Sequence, residues 1–345
     1  MAKRKITQLD LFSGIGGFHL GFERAGYVVE SYFSEIDKHA VAVYKHRFKN
    51  STYVGSVTDV RGAELPRIDL ITFGSPCQDF SLAGKRKGLS GDRSGLITEA
   101  IRLIRECRPS VFIWENVKGS FSSNDGEDFA AILQEFTNIG GYRLEWQLLN
   151  TSWVLPQNRE RIYLVGYSTT PGGDWRGVFP IGENSKKNIK FKGHNLRANT
   201  ICARYFASTR NGSYVSERKQ PTQEVKVKSA TSKEAVVEPT TCRGGLQKNA
   251  AHFEEKSPAL TSAMGMGGGH TPIVDQPNYR IRRLTPIECE RLQGFPDNHT
   301  EYGNYDGEVK KMSNTQRYKQ CGNAVTVDIV ALVAEAVKPL LNRTV

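Results

Sequence analysis

The chain has 345 residues, 38% hydrophobic and 24% charged, with a formal net charge of +11. These values suit a globular protein large enough for two domains, and no apolar stretch approaches the length of a membrane span. Six cysteines without a CxxC pair argue against a zinc site or a disulfide framework and for a reducing cytosol. The basic start, Met1-Ala2-Lys3-Arg4-Lys5-Ile6, leads straight into a strand and is not a signal peptide.

In chain order, Ile6–Phe12 reads as a strand running into a glycine-rich turn, and Gly17–Ala25 as a helix closed by Gly26. Strands follow at Tyr27–Glu35 and Ile68–Phe73. Gly95–Cys107 carries a helical apolar stripe through Ile97, Ile101 and Ile104, and Val111–Trp114 is a strand. Asp128–Asn138 is a helix with Phe129, Ile132 and Phe136 inward, Tyr142–Leu149 a strand, and Arg161–Tyr167 the last of the series. This alternation predicts an α/β fold with a doubly wound, mostly parallel sheet.

After Tyr167 the chain turns rich in Gly, Ser, Thr, Asn and Lys, with short β-like runs and a glycine loop at Gly265–Gly269. Residues 167–275 hold 16 Lys+Arg against 9 Asp+Glu, the footprint expected of a polyanion-binding segment. A second, smaller, irregular β-rich domain is predicted over 171–314, with 1–170 and 315–345 forming the first. Helical patterning returns at Thr285–Leu292 and Val325–Leu341.

Three stretches carry chemistry. Asp10-Leu11-Phe12-Ser13-Gly14-Ile15-Gly16-Gly17-Phe18 is a strand, a glycine turn and a helix start, where bare backbone N–H groups meet a ligand. Glu35, about 20 residues on at the end of the next strand, suits a ribose hydroxyl, with Asp37 in reserve; NAD and other nucleoside cofactors remain rivals at this level. Cys77, in Gly74-Ser75-Pro76-Cys77-Gln78, follows a strand end, where open sheets place reactive groups. Glu115, in Glu115-Asn116-Val117, ends the next strand, and Arg159 and Arg161 offer fixed forks to a base, a carboxylate or a phosphate.

With these pieces in order the chain closely resembles the C5-cytosine DNA methyltransferases, especially the single-chain bacterial and phage enzymes. The matching stretches are Asp10–Phe18, Glu35-Ile36-Asp37, Gly74–Ser81, Glu115–Val117 and Gln157–Arg161. Three more, Arg283–Cys289, Gln293–Asp297 and Gly322-Asn323-Ala324-Val325, lie near the C-terminus.

The resemblance implies a class I, Rossmann-like methyltransferase domain using S-adenosyl-L-methionine and releasing S-adenosyl-L-homocysteine, with no metal. Cys77 would be the nucleophile at cytosine C6, Glu115 would engage N3, and Arg161, with Arg159 beside it, would orient the base. Phe12, Gly14, Gly16, Glu35, Pro76, Leu96 and Asn323 carry over as cofactor contacts. Where the family has an acid for the adenine amine this chain has Ser56, with Asp59 three residues later; the resemblance leaves the choice open.

The implied partner is double-stranded DNA, its target base flipped from the stack. The loop Ser81–Gly88 would close over it, and the variable 168–280 region, including Thr261, would read the sequence. The same resemblance implies a monomer working in the cytoplasm at the nucleoid, with no membrane partner and room for a cognate restriction endonuclease. A tRNA cytosine methyltransferase and a non-catalytic DNA-binding protein on the same fold are the alternatives.

Overall fold

The computed structural model describes residues 4–75, 95–122, 127–169, 177–182 and 284–341, with the backbone of short strands at 198–199, 214–218, 242–243, 252–253, 273–274 and 279–283. In chain order the first part comprises β1 (Arg4–Leu11), α1 (Gly17–Arg24), β2 (Tyr27–Ser34), α2 (Lys38–Arg47), β3 (Thr52–Tyr53), β4 (Leu70–Phe73) and α3 (Gly95–Cys107). It continues through β5 (Val111–Val117), α4 (Gly119–Ser122), α5 (Glu127–Thr137), β6 (Tyr142–Asn150), β7 (Gln157–Asn158) and β8 (Glu160–Ser168). After the short strands come α6 (Pro286–Leu292), α7 (Asn314–Asn323), α8 (Val327–Ala336) and α9 (Lys338–Leu341), with a hairpin, Tyr302–Tyr305 and Glu308–Lys311, between α6 and α7.

Seven strands form one sheet in the order β3-β2-β1-β4-β5-β8-β6. The first five pair in parallel, as expected, but β8 runs antiparallel to both β5 and β6. Both faces are covered, which is why the strands read as apolar runs. On one face Phe18 and Phe22 of α1 and Ile329, Val330 and Val333 of α8 pack on Ile6, Leu70, Ile113 and Val165. On the other, Ile97, Ile101 and Ile104 of α3 and Phe129, Ile132 and Phe136 of α5 pack on Leu9, Ile71, Phe112 and Leu164.

The strand order reverses between β1 and β4, opening a crevice at the carboxyl edge. The ends of β1, β2, β4 and β5 meet there, and antiparallel β8 begins there. The last strand of the series therefore enters the crevice with its first residues.

Three elements depart from expectation. Helix α2 had not been foreseen, although Asp37 caps it by accepting from His39 N at 2.9 Å. Polar α7 had also gone unread; Ser313 caps it, accepting from Gln316 N at 3.4 Å. The single helix expected over Val325–Leu341 is two, α8 and α9, because Pro339 has no N–H to continue the ladder across Val337.

Residues 284–312, grouped above with the second region, pack on the first. Phe295 and Met312 share a core with Ile15, Ala40, Val43 and Val327. Arg47 of α2 donates to the backbone carbonyls of Asn298 and His299. Helix α6 starts in a capping box, Thr285 with Glu288, and has Pro286 in its first turn. Toward the other boundary Ser168 N donates to Ser110 O at 3.0 Å and Thr169 N to Gly141 O at 2.9 Å, and beyond them Val178 and Ile181 still pack in the core with Ile6 and Leu70.

Candidate active site

The glycine turn after β1 puts Phe12 (φ 51°), Gly14 (54°) and Gly16 (82°) in the left-handed region. Ser13 N donates to Ser34 O and Gly16 N to Ser13 O, at 3.1 and 3.0 Å. Gly14 N donates to Glu35 Oε2 at 2.9 Å, while Glu35 Oε1 accepts from Ile36 N and Asp37 N at 2.8 and 2.9 Å. The Glu35 carboxylate is thus fixed by three backbone donors and keeps lone pairs for an incoming hydroxyl.

A Cβ on Gly14 would meet nothing within 4 Å among the described residues, so a ligand can lie against bare backbone there. Beside it the Ser13 hydroxyl is buried without a hydrogen-bond partner among the described residues. An open backbone, a buried hydroxyl and a half-buried carboxylate thus lie together at the crevice with polar capacity left over for a ligand.

The two glycines do different work. A Cβ on Gly16 would fall 2.2 Å from the Phe48 ring, so this position is held small by packing. Leu96 packs into the same core as Phe12. Asn323 is exposed at the end of α7, and Ala324 after it is buried against Ile15. Thr58 has a single hydroxyl proton, donated to Asp59 Oδ1 at 3.1 Å; in its 2.9 Å bond to Ser56 it must therefore accept. Ser56 Oγ is left with lone pairs only.

Beneath the turn, Asp10 is fully buried, accepting from the hydroxyls of Thr72 at 2.8 Å and Tyr44 at 3.3 Å. Loss of water pushes its carboxyl up to about 8.

The second half of the crevice is built on β4, β5 and β8. Glu115 and Arg161 approach at 3.2 Å (Oε1 to Nε). The antiparallel register sets Glu115 opposite Tyr163 and Val117 opposite Arg161, so the acid and the arginine are diagonal neighbours on one sheet face. A Cβ on Gly74 would come 3.1 Å from Glu115 Oε2, so the carboxylate lies against the last residues before Pro76-Cys77. Ser75 is tethered there: its Oγ accepts from Trp114 Nε1 at 3.0 Å and from Asn116 Nδ2 at 3.3 Å.

Arg159 parts company with Arg161. It is 4% exposed and its Nη2 donates to Ala324 O at 2.9 Å, joining the start of β8 to the segment after Asn323. Nearby, Gln157 donates to Leu292 O, Gln293 to Cys321 O and Thr326 to Gln293 Oε1, at 2.8, 2.7 and 3.1 Å. Pro76, Cys77, the Ser81–Gly88 loop, Thr261 and Gly265–Gly269 lie outside the described residues.

The profile of the family described as C-5 cytosine-specific DNA methylase matches residues 6–339. The chain belongs to this family. The methylase is 33% identical over 330 residues to Type II methyltransferase M.Bsp6I of Bacillus sp. (strain RFL6), covering 94% of this chain and 96% of the relative. It is 30% identical over 346 residues to Type II methyltransferase M1.ScrFI of Lactococcus lactis subsp. cremoris, covering 99% and 80%. Its fold is that of Entamoeba histolytica methyltransferase EhMeth, with a TM-score of 0.61 at 17% identity over 99% of this chain and 100% of that one. The methylase is a DNA (cytosine-5)-methyltransferase, and its family uses S-adenosylmethionine. No described helix is long and apolar enough to cross a membrane, and no group of metal-ligating side chains occurs among the described residues.

Reasoning from the sequence alone passed over the scaffold: Gly74, Ser75, Trp114 and Asn116 around the end of β4, and Gln157, Gln293 and Thr326 near Arg159. Gly74, Ser75, Asn116, Gln157 and Gln293 stand inside the quoted motifs, which was the available signal. Their partners lie far along the chain, where a linear reading does not reach.

Proposed function

We propose that this enzyme methylates C5 of a flipped cytosine in duplex DNA through Cys77, with Glu115 and Arg161 holding the ring. The observation that carries the reading is the Glu115–Arg161 pair beside Gly74, at the sheet edge from which the chain runs into Pro76-Cys77. The Cys77 thiolate adds to C6, forming a C–S bond and pushing the ring electrons toward C5. Glu115, in its protonated form, donates its proton to N3 to neutralise that charge, and Arg161 fixes both the Glu115 side chain and the base. Bound S-adenosylmethionine supplies an electrophilic methyl group on a sulfonium for the activated C5. Loss of the C5 proton to a base then lets the ring expel Cys77 as thiolate and regain aromaticity.

The turn Phe12–Gly16, Glu35, Pro76, Leu96 and Asn323 would hold the cofactor, with Ser56 Oγ facing the adenine amine as an acceptor. Residues 1–182 with 284–345 form the catalytic unit in this reading, since Val178 and Ile181 pack in the core of the sheet, and 183–283 the recognition segment, basic enough to clamp phosphates while reading base edges. The Type II name of the relatives extends to this enzyme as one half of a restriction–modification pair, a monomer acting at the nucleoid.

The deciding experiment supplies labelled S-adenosylmethionine with duplex DNA or with tRNA. Label in DNA is expected; label confined to tRNA refutes the proposal. Duplex carrying 5-fluorocytosine should trap a covalent complex, and its survival in Cys77→Ala would exclude this nucleophile.

A further inference from the structure

The turn that follows β1 is a strained object. Phe12 adopts the left-handed region at φ 51°, which costs a non-glycine residue on the order of 1–3 kcal/mol and lasts only where surrounding contacts fix it. Most of the turn's backbone bonds close locally: Ser13 N, Gly14 N and Gly16 N find Ser34 O, Glu35 Oε2 and Ser13 O. The carbonyl of Ile15 is satisfied from the far end of the chain, by His299 Nε2 at 2.9 Å. A carbonyl only accepts, so Nε2 carries the proton.

His299 is built to stay there. It is 3% exposed, and its ring lies 4.5 Å from that of Phe295 at a 32° tilt and 6.1 Å from that of Phe48. Its own carbonyl accepts from Arg47 Nε at 2.6 Å. The flanking amides of Asn298 and Thr300 donate to buried Glu290 at 2.7 and 2.9 Å, and Glu290 is paired with Arg317 of α7 at 2.9 Å. The imidazole therefore has one orientation, and its ring proton points at the cofactor turn.

We infer that His299 is a positioning residue for S-adenosylmethionine, clamping the Ile15 carbonyl so that Gly14 and Ser13 keep the shape that receives the cofactor; this rests on the reading of that turn as the cofactor site. The aromatic surroundings would take a phenylalanine equally well, so the Nε2–H bond separates positioning from packing. His299→Phe leaves a buried carbonyl without a donor, and about a tenfold rise in KM for S-adenosylmethionine is expected, with kcat and KM for DNA within about twofold. His299→Gln, which keeps an N–H donor, should recover most of the loss. Addition of S-adenosylhomocysteine to the ¹⁵N-histidine-labelled enzyme should also shift the Nε2–H resonance of His299, identified by its absence in His299→Gln.

Glu35→Gln is the control for the site itself. If it raises KM for S-adenosylmethionine while His299→Phe does not, the clamp is refuted and the cofactor reading stands. If neither variant moves that KM, the cofactor reading falls and takes the clamp with it. A glutamine variant as impaired as the phenylalanine, or a His299 resonance indifferent to S-adenosylhomocysteine, also overturns the clamp, the latter whether or not His299→Phe folds.

Discussion

Arg161 Nε stands 3.2 Å from Glu115 Oε1, with the two side chains only 16% and 11% exposed. A largely desolvated pair of this kind aligns what it holds more firmly than it stabilises the fold. Arg161→Ala should therefore lower the single-turnover methylation rate by about 10² to 10³, with S-adenosylhomocysteine affinity unchanged. A parallel loss of cofactor binding, measured by calorimetry, would show that Arg161 supports the whole crevice instead.

Gly74 tests the same geometry from the opposite side. Alanine there brings a Cβ to 3.1 Å from Glu115 Oε2, and the carboxylate must give way by a few tenths of an ångström. We expect kcat to fall by about tenfold to a hundredfold with DNA affinity preserved in a mobility-shift titration. Undiminished kcat would mean that Glu115 tolerates displacement and is not held to a fixed position.

Arg159 should behave differently from Arg161. Its guanidinium serves the Ala324 carbonyl, so Arg159→Ala is expected to destabilise the fold by about 1–3 kcal/mol in urea. The variant should still trap 5-fluorocytosine DNA covalently at saturating cofactor. Loss of the adduct without loss of stability would return Arg159 to the base.

Asp10 makes stability depend on pH. An unfolded aspartic acid loses its proton near 3.9, whereas burial holds the folded one up to about 8. Between those values the folded state binds the extra proton, so stability falls as pH rises through the window and levels off above it, by up to about 1.4 kcal/mol per pH unit. Asp10→Asn removes this dependence. Denaturation midpoints of the two proteins should diverge in favour of the variant from pH 5 to pH 8, and a constant difference between them would contradict the assignment.

Gly166 supplies a control away from the chemistry. A Cβ there would lie 2.1 Å from the Phe112 ring in the middle of the sheet, so Gly166→Ala should cost about 1–3 kcal/mol or more through overpacking. Its specific activity per folded molecule, measured below its melting transition, should match the parent.

What could be read in the sequence was what is local. The turn Phe12–Gly16 and Glu35 follow consecutive strands and could both be located from the local pattern, although the bond that joins them, Gly14 N to Glu35 Oε2, was not part of that reading. Strand direction has no such signature: the apolar run of β8 looks the same up or down, and the Glu115–Arg161 pairing follows from its being antiparallel. Helix α7, Asn314–Asn323, is polar along its length. Its burial of Arg317, Gln320 and Cys321 depends on partners such as Glu290, and no periodic apolar stripe announces it. His299 and Ile15 are 284 residues apart, and neither belongs to a pattern that names the other.

The stretch between residues 182 and 284 leaves and rejoins the molecule at anchored points. Ile181 packs in the core and exchanges two hydrogen bonds with Gln147, and the Thr285 capping box opens the segment that grips α2 and the glycine turn. Closing a longer loop between fixed ends costs little, about 0.6 kcal/mol per doubling of its length. A span held this way can be lengthened, shortened or replaced as a cassette, with joints at 182 and 284, while the core of the sheet is inherited intact. On the function proposed for that span, new target sequences arise by exchanging one piece of chain and leaving the rest alone.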